Sequence, residues 1–108
     1  MEEKDINRLL MQYQQLFRKS NKKYINPEIE ELTVEGLEPI IIMVAKSRAA
    51  YMKYVYALGK KYGENEGLPT TDELKKLKIL KMRFTEVSEG AHAFETCIQR
   101  GYLDLKHS

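Results

Sequence analysis

The chain has 108 residues, of which 43% are hydrophobic and 31% charged, and its formal net charge is +2. This balance excludes an intrinsically disordered chain, and the small net charge argues against strong attraction of the whole molecule to nucleic acid or anionic lipid. The single cysteine, Cys97, excludes an internal disulfide bond and fits a reducing compartment. The N-terminus lacks the basic start of a signal peptide, and the longest apolar run, residues 39–45, is too short to span a bilayer. We therefore expect one soluble, cytoplasmic domain over residues 1–108.

The first predicted element is an amphipathic helix over about residues 3–22. Its apolar residues recur at steps of three and four from Ile6 to Phe17, which places them on one side of a helix. Basic residues gather at its C-terminal end, where they complement the negative end of the helix dipole. We favour this interpretation over contact with a phosphate backbone, because charged side chains on a helix usually form a solvated face. The basic residues are Arg18, Lys19, Lys22 and Lys23.

Residues 24–38 are predicted to form an acidic linker. The Asn26-Pro27 pair is a turn signal. Gly36 and Pro39 are expected to interrupt any helix that crosses this region, since proline suits only the first turn of a helix. The linker is either a docking surface or a solvated connector, and the connector is the commoner case. Its acidic residues are Glu28, Glu30, Glu31, Glu35 and Glu38.

The second predicted helix covers about residues 37–62 and is apolar over an unusually wide arc. Its seam, the line of apolar residues with heptad spacing, runs from Ile41 to Tyr62 and has one polar member, Arg48. Apolar residues also lie on both sides of this seam, so the helix is either central in its bundle or meets another chain. We expect a homodimer that uses one side of this helix. The predicted dimer face consists of Ile42, Met43, Ala50, Tyr54 and Ala57.

The third predicted helix covers about residues 71–100. Thr70 and Glu73 have the spacing of a capping box at its start. Gly101 suits a left-handed stop at its end, and Gly90 is a weak point that marks either a bend or a close approach of another backbone. The tail, residues 102–108, is expected either to fold back as an apolar lid or to fray.

Together these elements predict an all-α fold, a three-helix antiparallel bundle with two long helices. Matching the two long seams sets Tyr51 against Val87 and Val55 against Phe84. The same register brings Arg48 beside Glu95. We therefore predict a buried or half-buried structural ion pair between Arg48 and Glu95, because an unpaired buried charge is too costly. A bound anion at Arg48 is the weaker alternative.

The sequence offers little that could support catalysis or metal binding. Glu89 and His92 form one Glu-x-x-His pair, whereas di-iron bundles use two such pairs with two further glutamates. Cys97 is better read as a small buried hydrophobic residue than as a nucleophile. We therefore predict no catalytic, cofactor-binding or metal-binding residue, no cofactor, and no enzymatic activity.

The predicted function is that of a non-enzymatic interaction protein, an adaptor, regulator or small chaperone that acts through apolar helix faces and has protein partners. The alternative is a nucleic-acid-binding regulator that uses the basic faces of the second and third helices. Acidic residues next to the basic patch, such as Asp72 and Glu73, weaken that alternative, and both helices are too long for a helix-turn-helix. No membrane partner is expected. The basic patch consists of Lys75, Lys76, Lys78, Lys81 and Arg83.

Overall fold

The computed structural model describes residues 2–29 and 32–106. The predicted three-helix all-α fold is confirmed, and the described residues contain no strand. Glu30 and Glu31 of the acidic linker and the last two residues of the tail lie outside the described part of the chain. The elements in chain order are α1 (Glu3–Ile25), a 3₁₀ turn (Asn26–Glu28), α2 (Val34–Tyr62) and α3 (Thr71–Gln99).

Helix α2 begins earlier than the sequence predicts. The hydroxyl of Thr33 accepts a hydrogen bond from the backbone N–H of Gly36 at 3.1 Å, which satisfies one free donor of the first turn. The helix then continues through Gly36 and Pro39. The expectation that these two residues interrupt the helix was therefore wrong. Proline holds a backbone angle that a helix accepts, and near the start of a 29-residue helix it removes only one hydrogen bond.

Both predicted ends of α3 are confirmed. The N–H of Thr70 donates to the Glu73 carboxylate at 2.9 Å, and the N–H of Glu73 donates to the Thr70 hydroxyl at 3.2 Å. At the other end Gly101 has φ +74°, the left-handed conformation. The N–H of Tyr102 then donates to the carbonyl of Cys97 at 2.8 Å, which closes the helix with a Schellman motif. Local hydrogen bonds therefore fix both ends of α3.

The chain divides into two compact units. The first unit contains the described residues up to Leu37 together with those from Ala93 onward, which include α1 and the tail. The second unit runs from Glu38 to His92 and contains most of α2, the loop and most of α3. A single domain over residues 1–108 stays a prediction.

In the first unit the tail folds back and supplies the most buried side chains. Tyr102 is 8% exposed and Leu103 is 3% exposed. Leu32, from the segment before α2, is also buried, with 6% exposure. The ring of Tyr102 lies 6.0 Å from the ring of Phe17 on α1, measured between centroids. The described part of the tail is thus packed against the rest of the first unit, which confirms the expectation that the tail folds back as an apolar lid.

Polar contacts also hold the tail in place. The N–H of Asp104 donates to the side-chain oxygen of Asn26 at 3.2 Å, and the N–H of Lys106 donates to the carbonyl of Leu32 at 2.6 Å. The carboxylate of Asp104 lies 3.1 Å from the ammonium group of Lys22. The turn after α1 and the segment before α2 are therefore tied to the C-terminal tail.

In the second unit α2 and α3 pack antiparallel, but not in the predicted register. The ring of Tyr51 meets the ring of Phe84 edge-on with 6.1 Å between centroids, whereas the seams set Tyr51 against Val87. The register therefore differs from the prediction by about one helical turn. Leu58 of α2 is the buried centre of this unit at 8% exposure.

Arg48 does not lie in the interior. Its side chain is exposed, and its guanidinium group lies 5.1 Å from the centroid of the Phe84 ring. The expectation that Arg48 is buried or half-buried was therefore wrong, because the shifted register places it over an aromatic face at the surface. Glu95 belongs to the other unit, and its ion pair with Arg48 stays a prediction.

Candidate partner-binding site

The second unit carries an open groove between α2 and α3, which we call the α2 groove. It has a volume of about 600 Å³. The contact between two helices leaves uncovered the apolar side chains that lie beside the α2 seam, and these line the groove together with Leu80 and Val87 of α3. Its apolar lining consists of Pro39, Ile42, Met43, Ala50, Leu80 and Val87. Its polar lining consists of Lys46, Ser47 and Arg83.

The groove contains three residues of the predicted dimer face. Ile42, Met43 and Ala50 line it, and the first two side chains are 42% and 49% exposed. Tyr54 and Ala57 continue the same side of α2 toward the loop, where Tyr54 is half-buried and Ala57 is exposed. The predicted face thus exists as an exposed apolar surface. Its partner stays untested.

The sequence alone does not predict that α3 supplies the other wall. The predicted register places Val87 against Tyr51, and Arg83 belongs to the predicted basic patch. The spacing of the α3 residues does indicate a shared side, since residues seven apart lie on nearly the same side of a helix. Leu80, Arg83 and Val87 therefore form one continuous strip along α3 that faces the groove.

The charges around the groove have one sign. Lys46 of α2 and Arg83 of α3 lie on its walls, and no acidic residue among those that the structure describes lines it. Near the loop the ammonium group of Lys76 lies 4.7 Å from the centroid of the Tyr54 ring, which extends the positive edge along the same side of α2. An apolar floor with a basic rim favours an occupant that has an apolar stripe flanked by acidic groups.

The predicted basic patch divides around the helix. All five of its residues are exposed. At 100° per residue, Lys76 and Arg83 lie on the groove side of α3, whereas Lys75, Lys78 and Lys81 point progressively away from it. The five side chains therefore do not form one stripe that could follow a phosphate backbone.

The strongest electrostatic cluster lies at the loop end of the second unit. The hydroxyl of Tyr62 donates a hydrogen bond to Glu73, and the ammonium group of Lys61 lies 3.0 Å from the same carboxylate. Together with the backbone N–H of Thr70, these donors lower the pKa of Glu73 to about 2, with the Tyr62 hydroxyl contributing most. The carboxylate also raises the pKa of both Tyr62 and Lys61 through its hydrogen bonds. Its bonds with Tyr62 and Lys61 join α2 to the start of α3, so the cluster is a structural clamp.

The other residues considered for chemistry are dispersed. Glu89 and His92 are exposed on α3, and Cys97 is half-buried. Within residues 2–29 and 32–106 no three His, Cys, Asp or Glu side chains are grouped so that they could hold a metal ion.

Comparison with protein-family models, with curated proteins and with solved structures gave no match for this chain. No helix in the described part of the chain combines the length and apolar character needed to cross a membrane.

Proposed function

We propose that this protein is a non-enzymatic interaction protein that binds an amphipathic helix of a partner protein in the α2 groove. The observation that carries the proposal is the combination of an apolar floor, which includes Met43 and Val87, with a rim formed by Lys46 and Arg83. Helices commonly bind such grooves through apolar residues at positions i, i+3, i+4 and i+7. The positive rim selects a helix whose apolar stripe is flanked by glutamate or aspartate.

The rim charges favour such a partner over a second copy of this chain. In a two-fold symmetric dimer built on this face, each groove would meet an identical groove. Lys46 and Arg83 would then approach their own symmetry mates, and like charges across an interface oppose association. The dimer predicted on Ile42, Met43 and Ala50 is therefore the competing arrangement. A cytoplasmic location is part of this proposal, since a single cysteine excludes an internal disulfide bond and fits a reducing compartment.

Two synthetic helical peptides test the proposal. They share one apolar stripe, which is flanked by glutamate in the first peptide and by lysine in the second. Fluorescence anisotropy is expected to show micromolar binding of the glutamate peptide, at least about tenfold weaker binding of the lysine peptide, and weakening with added salt. Equal affinity for both peptides, or no binding of the glutamate peptide, would contradict the proposal.

A matched pair of variants then locates the site. Met43→Asp places a charge on the groove floor, whereas Met52→Asp makes the same change on the opposite side of α2, where Met52 is 58% exposed. The first variant should lose peptide binding and the second should retain it. If both variants lose binding equally, the groove is not the site. Retention of the protein on duplex DNA, with a steep loss on adding salt, would instead support the nucleic-acid alternative.

A further inference from the structure

Helix α1 carries an apolar stripe that is exposed along its whole length, although at one end the ring of Phe17 meets the ring of Tyr102 from the same unit. Every residue from Glu2 to Ser20 is exposed. Exposure of the stripe ranges from 43% for Ile6 to 65% for Leu16. Exposed single apolar residues are ordinary, but a continuous stripe along three turns of a helix is typical of an interaction surface. The α1 stripe consists of Ile6, Leu9, Leu10, Tyr13, Leu16 and Phe17.

We propose that the α1 stripe pairs antiparallel with the α1 stripe of a second copy of this chain, around a two-fold axis near the middle of the helix. The pairing is isologous, so each stripe covers the other. It uses a different helix from the α2 groove. It therefore holds whether or not the groove binds a partner.

The charges on α1 favour the antiparallel direction. Its first turn is acidic, with Glu3 and Asp5, and its last turn is basic, with Lys22 and Lys23. Antiparallel pairing sets the acidic end of one copy beside the basic end of the other, whereas parallel pairing sets like charges together. Asp5 and Lys19 lie within about 40° of each other around the helix axis, so they border the same edge of the stripe. In the antiparallel pair, Asp5 of one copy therefore approaches Lys19 of the other.

The mass of the purified full chain in solution tests the pairing. Sedimentation at micromolar concentration should give twice the chain mass of 12.6 kDa. The double variant Leu9→Glu, Leu16→Glu should be monomeric with its helical circular-dichroism signal retained, because both side chains are at least half exposed in the single chain. Met11→Glu is the matched control, since Met11 is 62% exposed but lies on the opposite side of α1. It should remain dimeric.

A charge exchange tests the direction. Asp5→Lys alone and Lys19→Asp alone should each weaken the dimer about two- to fivefold, and combining them should restore the original affinity. A monomeric parent chain overturns the pairing. A dimer that survives the double leucine variant but is lost in Met43→Asp also overturns it and places the contact on the α2 groove.

Discussion

The hydroxyl of Tyr62, the last residue of α2, donates a hydrogen bond to the carboxylate of Glu73 in the first turn of α3. The same carboxylate accepts the capping bond from the N–H of Thr70 and pairs with Lys61. One side chain therefore caps α3 and joins it to α2. This link fixes the level at which the two helices begin to pack, so it contributes to setting their register.

The Glu73 clamp predicts a specific loss of stability in acid. Its pKa is lowered from 4.5 to about 2, so its contribution is complete above about pH 4.5 and is lost as the pH falls toward 2. Glu73→Gln should therefore lower the free energy of unfolding at neutral pH, and the difference from the parent should shrink steadily below pH 4.5. Urea unfolding at several pH values measures this. Glu86→Gln, an exposed glutamate elsewhere on α3, is the control and should have little effect at any pH.

Two glycines should respond oppositely to alanine. Nothing lies within 4 Å of a Cβ atom built at Gly90, which is inside α3, so Gly90→Ala should stabilise the chain by about 0.5–1 kcal/mol. Gly101 has φ +74°, and an added Cβ would lie 3.1 Å from Cδ of Arg18, so Gly101→Ala should destabilise by about 1–2 kcal/mol. Urea unfolding compares the two. A destabilising Gly90→Ala would show that another backbone covers that side of α3.

Packing of the tail should matter more than its ion pair. Leu103 is 3% exposed, so Leu103→Ala should cost about 2–4 kcal/mol of unfolding free energy. Asp104→Ala removes an ion pair whose side chains are 57% and 47% exposed, and it should cost less than about 1 kcal/mol. Thermal or urea unfolding of the two variants gives the comparison. If Leu103→Ala and Asp104→Ala lower the free energy of unfolding equally, the ion pair of Asp104 holds the tail as strongly as the burial of Leu103 does.

The position of Arg48 predicts a modest coupling to Phe84. A double-mutant cycle of Arg48→Met and Phe84→Leu should give a coupling energy of about 0.5–1 kcal/mol, as expected for an exposed cation over a half-buried ring. The same cycle with Glu95→Gln tests the predicted ion pair. Because Arg48 and Glu95 are both exposed, that coupling should stay below about 1 kcal/mol. A larger value would require the pair to be shielded from water in the folded protein.

The helices and the ends of α3 follow from local patterns in the sequence. A repeat of three and four residues is a local property, and the bonds of Thr70 with Glu73 and the left-handed Gly101 connect residues within six positions of each other. Such features form without contacts to distant parts of the chain. The helical period also revealed the surplus apolar side of α2, although it did not show that Leu80 and Val87 form the other wall of the groove.

How α2 and α3 pack against each other depends on contacts between residues that are distant in sequence. The seams of α2 and α3 repeat every seven residues, so shifting one along the other by a turn leaves the apolar match nearly unchanged. The cluster around Glu73 and the ring contact of Tyr51 with Phe84 distinguish these registers, and they place Arg48 at the surface. The tail that contains the buried Leu103 is likewise held by residues far away in sequence, including Asn26 in the turn after α1. A periodic pattern identifies which side of a helix is apolar, but contacts between distant residues decide what covers it.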